Sequence, residues 1–150
     1  MTNLQRLFSD LVRFETELWN SIDMRMRTDL GLPMSRFEPM QVIDRRGSCR
    51  VYDIARELSI TVGGTSKLVD RIEASGYCVR RPNPDDLRSS IIALTSAGRR
   101  MLADATVAFE EELDLRVGSV LSVRAREQLG NTLAKLRTAG ARIDPIGSAT

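Results

Sequence analysis

The chain has 150 residues, a formal net charge of +2 and no histidine. This length suits one domain of typical size with helical extensions, and the small net charge alone does not indicate a nucleic-acid partner, which needs a local basic patch. Because histidine is absent, Ser-His-Asp and Cys-His catalysis and imidazole metal ligands are excluded, so we expect no enzyme, no metal site and no cofactor.

A long amphipathic helix is predicted at the N-terminus. Apolar residues recur every three or four positions from Leu4 to Leu30, and Gly31 and Pro33 end the pattern. The apolar surface exceeds what one neighbouring helix covers, so residues 1–34 are predicted to be a dimerisation helix. The first residues do not resemble a signal peptide, and no apolar run approaches the ~18 residues of a membrane span, so we expect a cytoplasmic protein without a membrane partner.

A helix-turn-helix is predicted in the middle of the chain. A helix from about residue 35 to 46 precedes it, with Ser35 as N-cap and Glu38 at capping-box spacing. Two short helical patterns follow, CRVYDIARELSI and TVGGTSKLVDRIEASG, the second with Thr61 as N-cap and Gly76 as its end. Only the three residues SIT, 59–61, separate the two predicted helices, which is the signature of a helix-turn-helix.

A β-hairpin wing and two more helices are predicted after it. Residues 77–81 and 89–94 are β-compatible, and PNPDDLR between them is rich in turn residues. A helix follows over 96–117, Gly118 interrupts it, and Ser122 caps a last helix. The predicted fold class is mostly α with a small β-hairpin wing. The predicted domains are an N-terminal dimerisation helix (1–34), a winged helix-turn-helix (35–95), C-terminal dimerisation helices (96–144) and a frayed tail (145–150).

The wing carries a motif that resembles the MarR family of winged-helix transcriptional regulators. The motif consists of Asp86-Leu87-Arg88, a strand that ends in Leu94-Thr95, and Gly98. The preceding LVDRIEASGYCVRRPNPDD resembles the end of the family's recognition helix and its first wing strand. The similarity is detailed over about residues 35–102, and the flanking helices agree in layout.

The resemblance implies a homodimeric, sequence-specific transcriptional regulator, most often a repressor, with double-stranded DNA, a second copy of the chain and a small-molecule effector as partners. Each subunit would place one helix in the major groove and its wing tip in the minor groove. Dimeric helix-turn-helix proteins bind half-sites about 34–36 Å apart, which predicts a near-palindromic operator.

Arg88 is the strongest candidate for a DNA contact. It resembles the family's wing arginine, and the negative potential of the minor groove attracts guanidinium groups. The alternative is an ordinary loop arginine paired with Asp85 or Asp86. Asp86 is interpreted as a residue that braces the wing and orients Arg88, because a carboxylate aimed at phosphate would be repelled.

Further DNA contacts are predicted on the recognition helix and around it. Gly63 and Gly64 depart from the polar residues usual at this point of the family, and they favour close approach of the helix N-terminus to a phosphate. Lys67 is interpreted as a phosphate contact, and Arg71 as a contact to guanine or phosphate. Thr61, Thr65 and Ser66 are the remaining predicted contacts on the helix, with Thr65 and Ser66 as candidates for base contacts. Arg80 and Arg81 are predicted to contact phosphate, and Arg50 to contact the DNA backbone.

Two other features leave alternatives open. The effector pocket is predicted to be lined by Trp19, Met24, Met26, Phe37 and Met40, although such residues are more often core. Cys49 and Cys78 are expected to be buried hydrophobes, with a thiol-based redox sensor as the alternative. Peroxide-sensing relatives carry their cysteine in the N-terminal helix, where this chain has none. A winged-helix module that binds protein instead of DNA is the remaining alternative, and steep loss of affinity with salt would separate the two.

Overall fold

Six α-helices and a two-stranded hairpin make up residues 1–143, the part of the chain that the computed structural model describes. The prediction of a mostly helical chain with a hairpin wing is confirmed, whereas the predicted tail, 145–150, lies outside the described residues. The elements are α1 (Asn3–Leu30), α2 (Met34–Arg46), α3 (Val51–Leu58), α4 (Val62–Ala74), β1 (Cys78–Asn83), β2 (Asp86–Leu94), α5 (Ser96–Leu113), a π-helical turn (Asp114–Gly118) and α6 (Val123–Ile143).

The chain divides into two compact units. The first unit, Met1–Glu112, contains α1 to α4, the hairpin and nearly all of α5. The second unit begins at Leu113 and contains the π-helical turn and α6. No helix among residues 1–143 is both long enough and apolar enough to cross a membrane.

Helix α1 is the predicted long helix, and it buries only its C-terminal half. A capping box formed by Thr2 and Gln5 starts it, and Gly31 ends it in the left-handed conformation. Ile22 and Met26 are buried in the core. The apolar side chains of the N-terminal half are exposed instead, namely Leu4, Leu7, Phe8, Leu11 and Phe14. One face of α1 therefore has apolar surface that its own chain does not cover.

Helix α2 begins one residue earlier than predicted and does not use the predicted cap. Its N-cap is Pro33, and Ser35 lies inside the first turn, so the prediction of a Ser35 cap was wrong. The start of the helix is held by tertiary structure, because the backbone N–H of Met34 donates to Asp23 Oδ1 of α1 (2.8 Å). A contact of this kind leaves no local sequence signal.

The helix-turn-helix forms as predicted, and the recognition helix is α4. Thr61 Oγ1 accepts a hydrogen bond from the Gly64 N–H (3.1 Å), which confirms the predicted cap. A Cβ at position 64 would lie 2.9 Å from Thr61 Oγ1, so glycine leaves room for the cap to close. Val69 and Ile72 of α4 are fully buried and hold the helix on the core.

The wing strands are longer than predicted, and the second contains a bulge. The pairing runs from Cys78↔Leu94 to Pro82↔Ser90 and then jumps to Asn83↔Asp86. The predicted loop over residues 82–88 is therefore mostly strand, and the residues left without a partner on β1 are Leu87, Arg88 and Ser89. This segment, Leu87 to Ser89, is called the wing bulge below.

The wing joins α5 through Thr95 and Gly98. The Thr95 N–H donates to the carbonyl oxygen of Tyr77 (3.0 Å), and Thr95 Oγ1 donates to that of Gly76 (2.6 Å) and accepts from the Gly98 N–H (3.0 Å). A Cβ at position 98 would overlap the carbonyl oxygen of Tyr77 and lie 2.8 Å from its carbon. The Leu-Thr and Gly of the motif thus have a structural reason, since they close the base of the wing onto α5.

Candidate nucleic-acid interface

The wing tip holds Arg88 out from the hairpin. Asp86 Oδ1 accepts a hydrogen bond from the Arg88 backbone N–H (3.0 Å), so the aspartate fixes the backbone of the wing bulge and leaves the guanidinium free. Asn83 is buried below the bulge, donates to Ser89 Oγ (3.1 Å) and accepts from the Asp85 N–H (3.0 Å). Arg88 itself is exposed, and within residues 1–143 its side chain forms no ion pair or hydrogen bond.

The geometry at the tip agrees with the two roles predicted there. Neither Asp85 nor Asp86 forms an ion pair with the Arg88 guanidinium among the described residues, so the alternative of a loop arginine neutralised by its neighbours is not what the structure has. The contact of Asp86 with the Arg88 backbone is the geometry expected of a bracing residue. An unpaired guanidinium can donate to a ligand without first breaking a contact of its own.

The start of the recognition helix is open to solvent. Thr61, Gly63 and Gly64 are exposed. A Cβ at position 63 would have no other atom within 4 Å. The first N–H groups of any helix lack intrahelical acceptors, and the helix dipole places positive charge there. This end of α4 is therefore suited to receive an anion.

The predicted contacts on α4 differ in their exposure to solvent. Lys67 and Arg71 are exposed, and Ser66 is half-buried. Thr65 is fully buried, and its hydroxyl donates to the Thr61 carbonyl (2.7 Å). The prediction that Thr65 contacts a base is therefore wrong for this conformation, because its only polar side-chain atom is turned into the helix.

Val62 and Tyr52 are surface residues that the sequence reasoning missed. Helical spacing predicts Val62 on the core face of α4, yet it is 51% exposed, and Tyr52 of α3 is 55% exposed. Both line the interface together with predicted residues. Helical spacing alone does not predict this exposure. The core packs against the later turns of α4 and leaves the first turn, with Val62, uncovered.

Arg80 occupies a different place from the one predicted. Its guanidinium forms ion pairs with Asp70 and Glu73 of α4 and donates to the backbone carbonyl of Ser66 (3.2 Å). The prediction that Arg80 contacts phosphate is therefore not supported by this structure, because its donors are already used within the protein. Arg81, the next residue, is exposed and has no ion pair among residues 1–143.

Arginines near the start of α3 are also paired with carboxylates. The backbone N–H of Arg50 donates to Asp53 Oδ2 (2.9 Å), a hydrogen bond that lowers the pKa of Asp53. The Arg50 side chain is about half exposed and lies 3.4 Å from the same oxygen. Hydrogen bonds from Arg45 and then Arg46 lower the pKa of Glu57. Of the predicted contacts, Arg50 is thus accessible but partly neutralised.

A groove between the recognition helix and the wing brings several of these residues together. Its volume is about 490 Å³. Its lining comes from Arg50, Val51, Tyr52, Val62, Ser66, Asp70, Arg80, Arg88, Ser89 and Ser90. We call it the helix–wing groove. Arg88 and Ser66 are therefore parts of one concave surface, while Lys67, Arg71 and Arg81 lie outside its lining.

The arrangement agrees with known proteins. The family model described as MarR family matches residues 32–90, which cover α2, the helix-turn-helix and most of the wing. The transcriptional repressor CouR, solved bound to a 23-mer DNA duplex, is 26% identical with a TM-score of 0.82, and the alignment covers 91% of this chain and 96% of CouR. Over residues 32–90 the chain is therefore similar to proteins of the MarR family.

Other relatives extend this result. A MarR family regulator from Streptomyces coelicolor in complex with DNA has the same fold, with a TM-score of 0.85, 21% identity and coverage of 93% of this chain and 89% of that one. The Bacillus subtilis regulator YfiV is 28% identical over 51% of this chain and 46% of its own length. MarR of Salmonella typhimurium is 28% identical over 46% of this chain and 48% of its own length.

These matches bear on the predicted class of protein. The chain spans about half the length of the curated relatives it matches. Their names are those of transcriptional regulators. The prediction of a MarR-type regulator, as opposed to an enzyme, agrees with every relative named above.

The effector pocket expected from the MarR resemblance is not formed by the predicted residues. Met26, Phe37 and Met40 are fully buried in the core, and Phe37 packs on Phe109 with ring centroids 5.1 Å apart. Met24 is 69% exposed, because it lies two residues from Met26 on the other side of α1. These side chains therefore do not share one lining, and the prediction was wrong for this set, which included the half-buried Trp19.

The two cysteines, Cys49 and Cys78, are buried, as expected of small hydrophobes. Burial raises the pKa of the Cys49 thiol to about 11 and that of the Cys78 thiol to about 11. The thiolate is the reactive form of cysteine, and redox-sensing cysteines have low pKa values and are accessible to solvent. These properties disfavour the thiol-sensor alternative.

Proposed function

We propose that this protein is a homodimeric, sequence-specific DNA-binding transcriptional regulator. The observation that carries the proposal is Arg88, an exposed and unpaired guanidinium that a braced bulge presents beside the open start of the recognition helix. A helix of this kind fits the major groove, and an arginine beside it suits the adjacent minor groove. The solved complex of the related CouR with a DNA duplex supports the same partner class.

A second copy of the chain is the proposed partner for the uncovered apolar faces. In the first unit, the N-terminal half of α1 exposes Leu4 (76%) and Phe8 (69%). In the second unit, α6 has no buried residue, and its Leu129, Leu133 and Leu136 are 40–57% exposed. Contiguous apolar surface on a soluble chain marks an association site. A two-fold dimer would bind a near-palindromic operator, as the resemblance implies.

Repression and its release by a small molecule complete the proposal. The CouR relative is named a transcriptional repressor, and bound repressor would exclude other proteins from the operator. An effector releases DNA only if it binds the conformation with low DNA affinity more tightly than the other. A screen of small molecules for loss of DNA binding would identify such an effector.

The test begins with the DNA. We expect the protein to enrich a dyad-symmetric sequence from a random duplex library and to protect it from cleavage. The affinity should fall steeply as salt rises, in proportion to the number of phosphates contacted. A protein-interaction module would enrich no sequence, and that result would reject the proposal.

Arg88→Ala tests the residue that carries the proposal. We expect it to lower affinity for the enriched duplex about tenfold or more, since a good groove contact contributes roughly 1–3 kcal/mol. Arg124→Ala is the control, because Arg124 is an exposed arginine of α6 and its loss removes the same charge. Equal affinities of the two variants would contradict the assignment of Arg88, even if DNA binding itself is found.

A further inference from the structure

Arg80 links the first wing strand to two turns of the recognition helix. Its Nη1 forms ion pairs with Asp70 and with Glu73, the second at 3.6 Å, and its Nη2 donates to the carbonyl (3.2 Å) and hydroxyl (3.4 Å) oxygens of Ser66. The Arg80 backbone N–H also donates to Glu73 Oε2 (2.9 Å). One residue of β1 is thus bonded to three residues of α4.

The carboxylates in this cluster have an unfavourable position for DNA binding. Asp70 is 60% exposed and lines the helix–wing groove, and Glu73 is 41% exposed on the same helix. Negative charge there would repel phosphates. The Arg80 side chain is only 23% exposed, and its guanidinium lies against both carboxylates. Moving it onto a phosphate would leave both acids uncompensated beside the DNA.

We propose that Arg80 is a positioning residue for DNA binding, which fixes the recognition helix against the wing and neutralises Asp70 and Glu73 without contacting DNA. This inference rests on the proposed function. The neighbouring Arg81 shows the contrast, because it is exposed and has no ion pair within residues 1–143. Two adjacent arginines of one strand therefore have different roles, one internal and one available to phosphate.

A double-mutant cycle separates positioning from phosphate contact. The variants are Arg80→Gln, the acid-neutral pair Asp70→Asn with Glu73→Gln, and the combination of all three. Affinity is measured for the duplex that the unaltered protein enriches from a random library. Arg81→Gln is the comparison for a phosphate contact: it removes the same charge one residue away, and it should weaken binding to the same extent whether or not the two acids are neutralised. The melting temperature of every variant is recorded alongside.

We expect Arg80→Gln to weaken DNA binding about tenfold, a coupling of ordinary size for contacting residues, and the combined variant to recover most of that loss. The acid-neutral pair alone should change affinity less than about threefold, because Arg80 already compensates these acids. If Arg80 were a phosphate contact, neutralising the acids would free it, so the pair would strengthen binding only while Arg80 is present. Stronger binding by the acid-neutral pair in the presence of Arg80 would overturn the proposal. A combined variant that does not recover the DNA affinity lost with Arg80→Gln would also overturn it.

Two further results keep the outcome decisive. If Arg80→Gln does not fold, Arg80→Lys replaces it, because lysine keeps the charge but loses the planar fork that reaches several acceptors. Binding that falls with Arg80→Lys and recovers with the acid-neutral pair supports the proposal, and binding that does not recover contradicts it. If the unaltered protein enriches no duplex, the proposed function itself fails. That result differs from one in which a duplex binds but the effects of Arg80→Gln and of the acid-neutral pair simply add, which would contradict only the role of Arg80.

Discussion

Gly98 and Gly63 are both helical glycines, but only Gly98 is required by its surroundings. We predict that Gly98→Ala destabilises the protein by at least about 2 kcal/mol, because the new methyl group would overlap the backbone carbonyl of Tyr77, which cannot swing aside as a side chain can. Thermal or denaturant unfolding measures this change. Gly63→Ala is the control, because nothing lies near its Cβ position and alanine favours helix, so stability should stay the same or rise. Equal losses in both variants would contradict the assignment.

Charge at single residues was the hardest feature to predict from the sequence. Arg80, Arg81 and Arg88 are the same residue type, and the sequence predicts that each of them contacts DNA. Their environments differ because Arg80 lies against Asp70, ten residues earlier in the chain, whereas Arg88 lies on a bulge. Only the folded geometry shows which guanidinium is already paired. The Asp-Leu-Arg motif identified Arg88 because it combines the arginine with the residue that holds its backbone.

At the scale of the element, the wing bulge is the feature that presents Arg88. We predict that Asn83→Ala lowers DNA affinity by about three- to tenfold with little change in melting temperature, because a loosened bulge must be ordered again on binding. The variant removes the hydrogen bonds to Ser89 and Asp85 from a buried amide. Hydrogen exchange should be faster at the amides of Leu87 and Arg88. Unchanged exchange and unchanged affinity would show that the bulge does not depend on Asn83.

Asn83→Asp is the matched variant for this prediction. The carboxylate keeps an acceptor for the Asp85 N–H but loses the donor to Ser89 Oγ, so an intermediate affinity is expected. An affinity of Asn83→Asp below that of Asn83→Ala would instead indicate that added negative charge, and not loosening of the bulge, controls binding at the wing tip.

The helices were predictable, whereas the strands and caps were less so. Apolar spacing placed α1, α3 and α4 to within a few residues, because each buries one stripe on the same core. The start of α2 depends on Asp23, and the wing strands run into a segment that has prolines and acids. Contacts between α1 and α2 and across the hairpin turn fix these features. A pattern read along the chain therefore predicts which segments are helical better than it predicts where tertiary contacts extend them.

At the scale of the whole molecule, the proposed dimer rests on the exposed apolar side chains of α1 and of α6. Ridges of leucine and phenylalanine on long helices suit helix–helix packing. One copy of the chain presents both faces, so a two-fold related copy supplies matching surfaces without any other protein. A protein that must bind two half-sites at fixed spacing also needs a dimer of fixed geometry.

Phe8→Glu tests that dimer. We predict that it raises the dimer dissociation constant at least about tenfold, because a charge replaces an aromatic side chain that association would bury. Sedimentation measures the constant. The control is Thr16→Glu, which adds the same charge at an exposed position about 80° around α1 from Phe8. Binding to a full palindrome should fall with Phe8→Glu, while binding to a single half-site should not, because each protomer keeps its recognition helix and Arg88. A dimer that resists Phe8→Glu but dissociates with Thr16→Glu would place the interface on the side of α1 that carries Thr16.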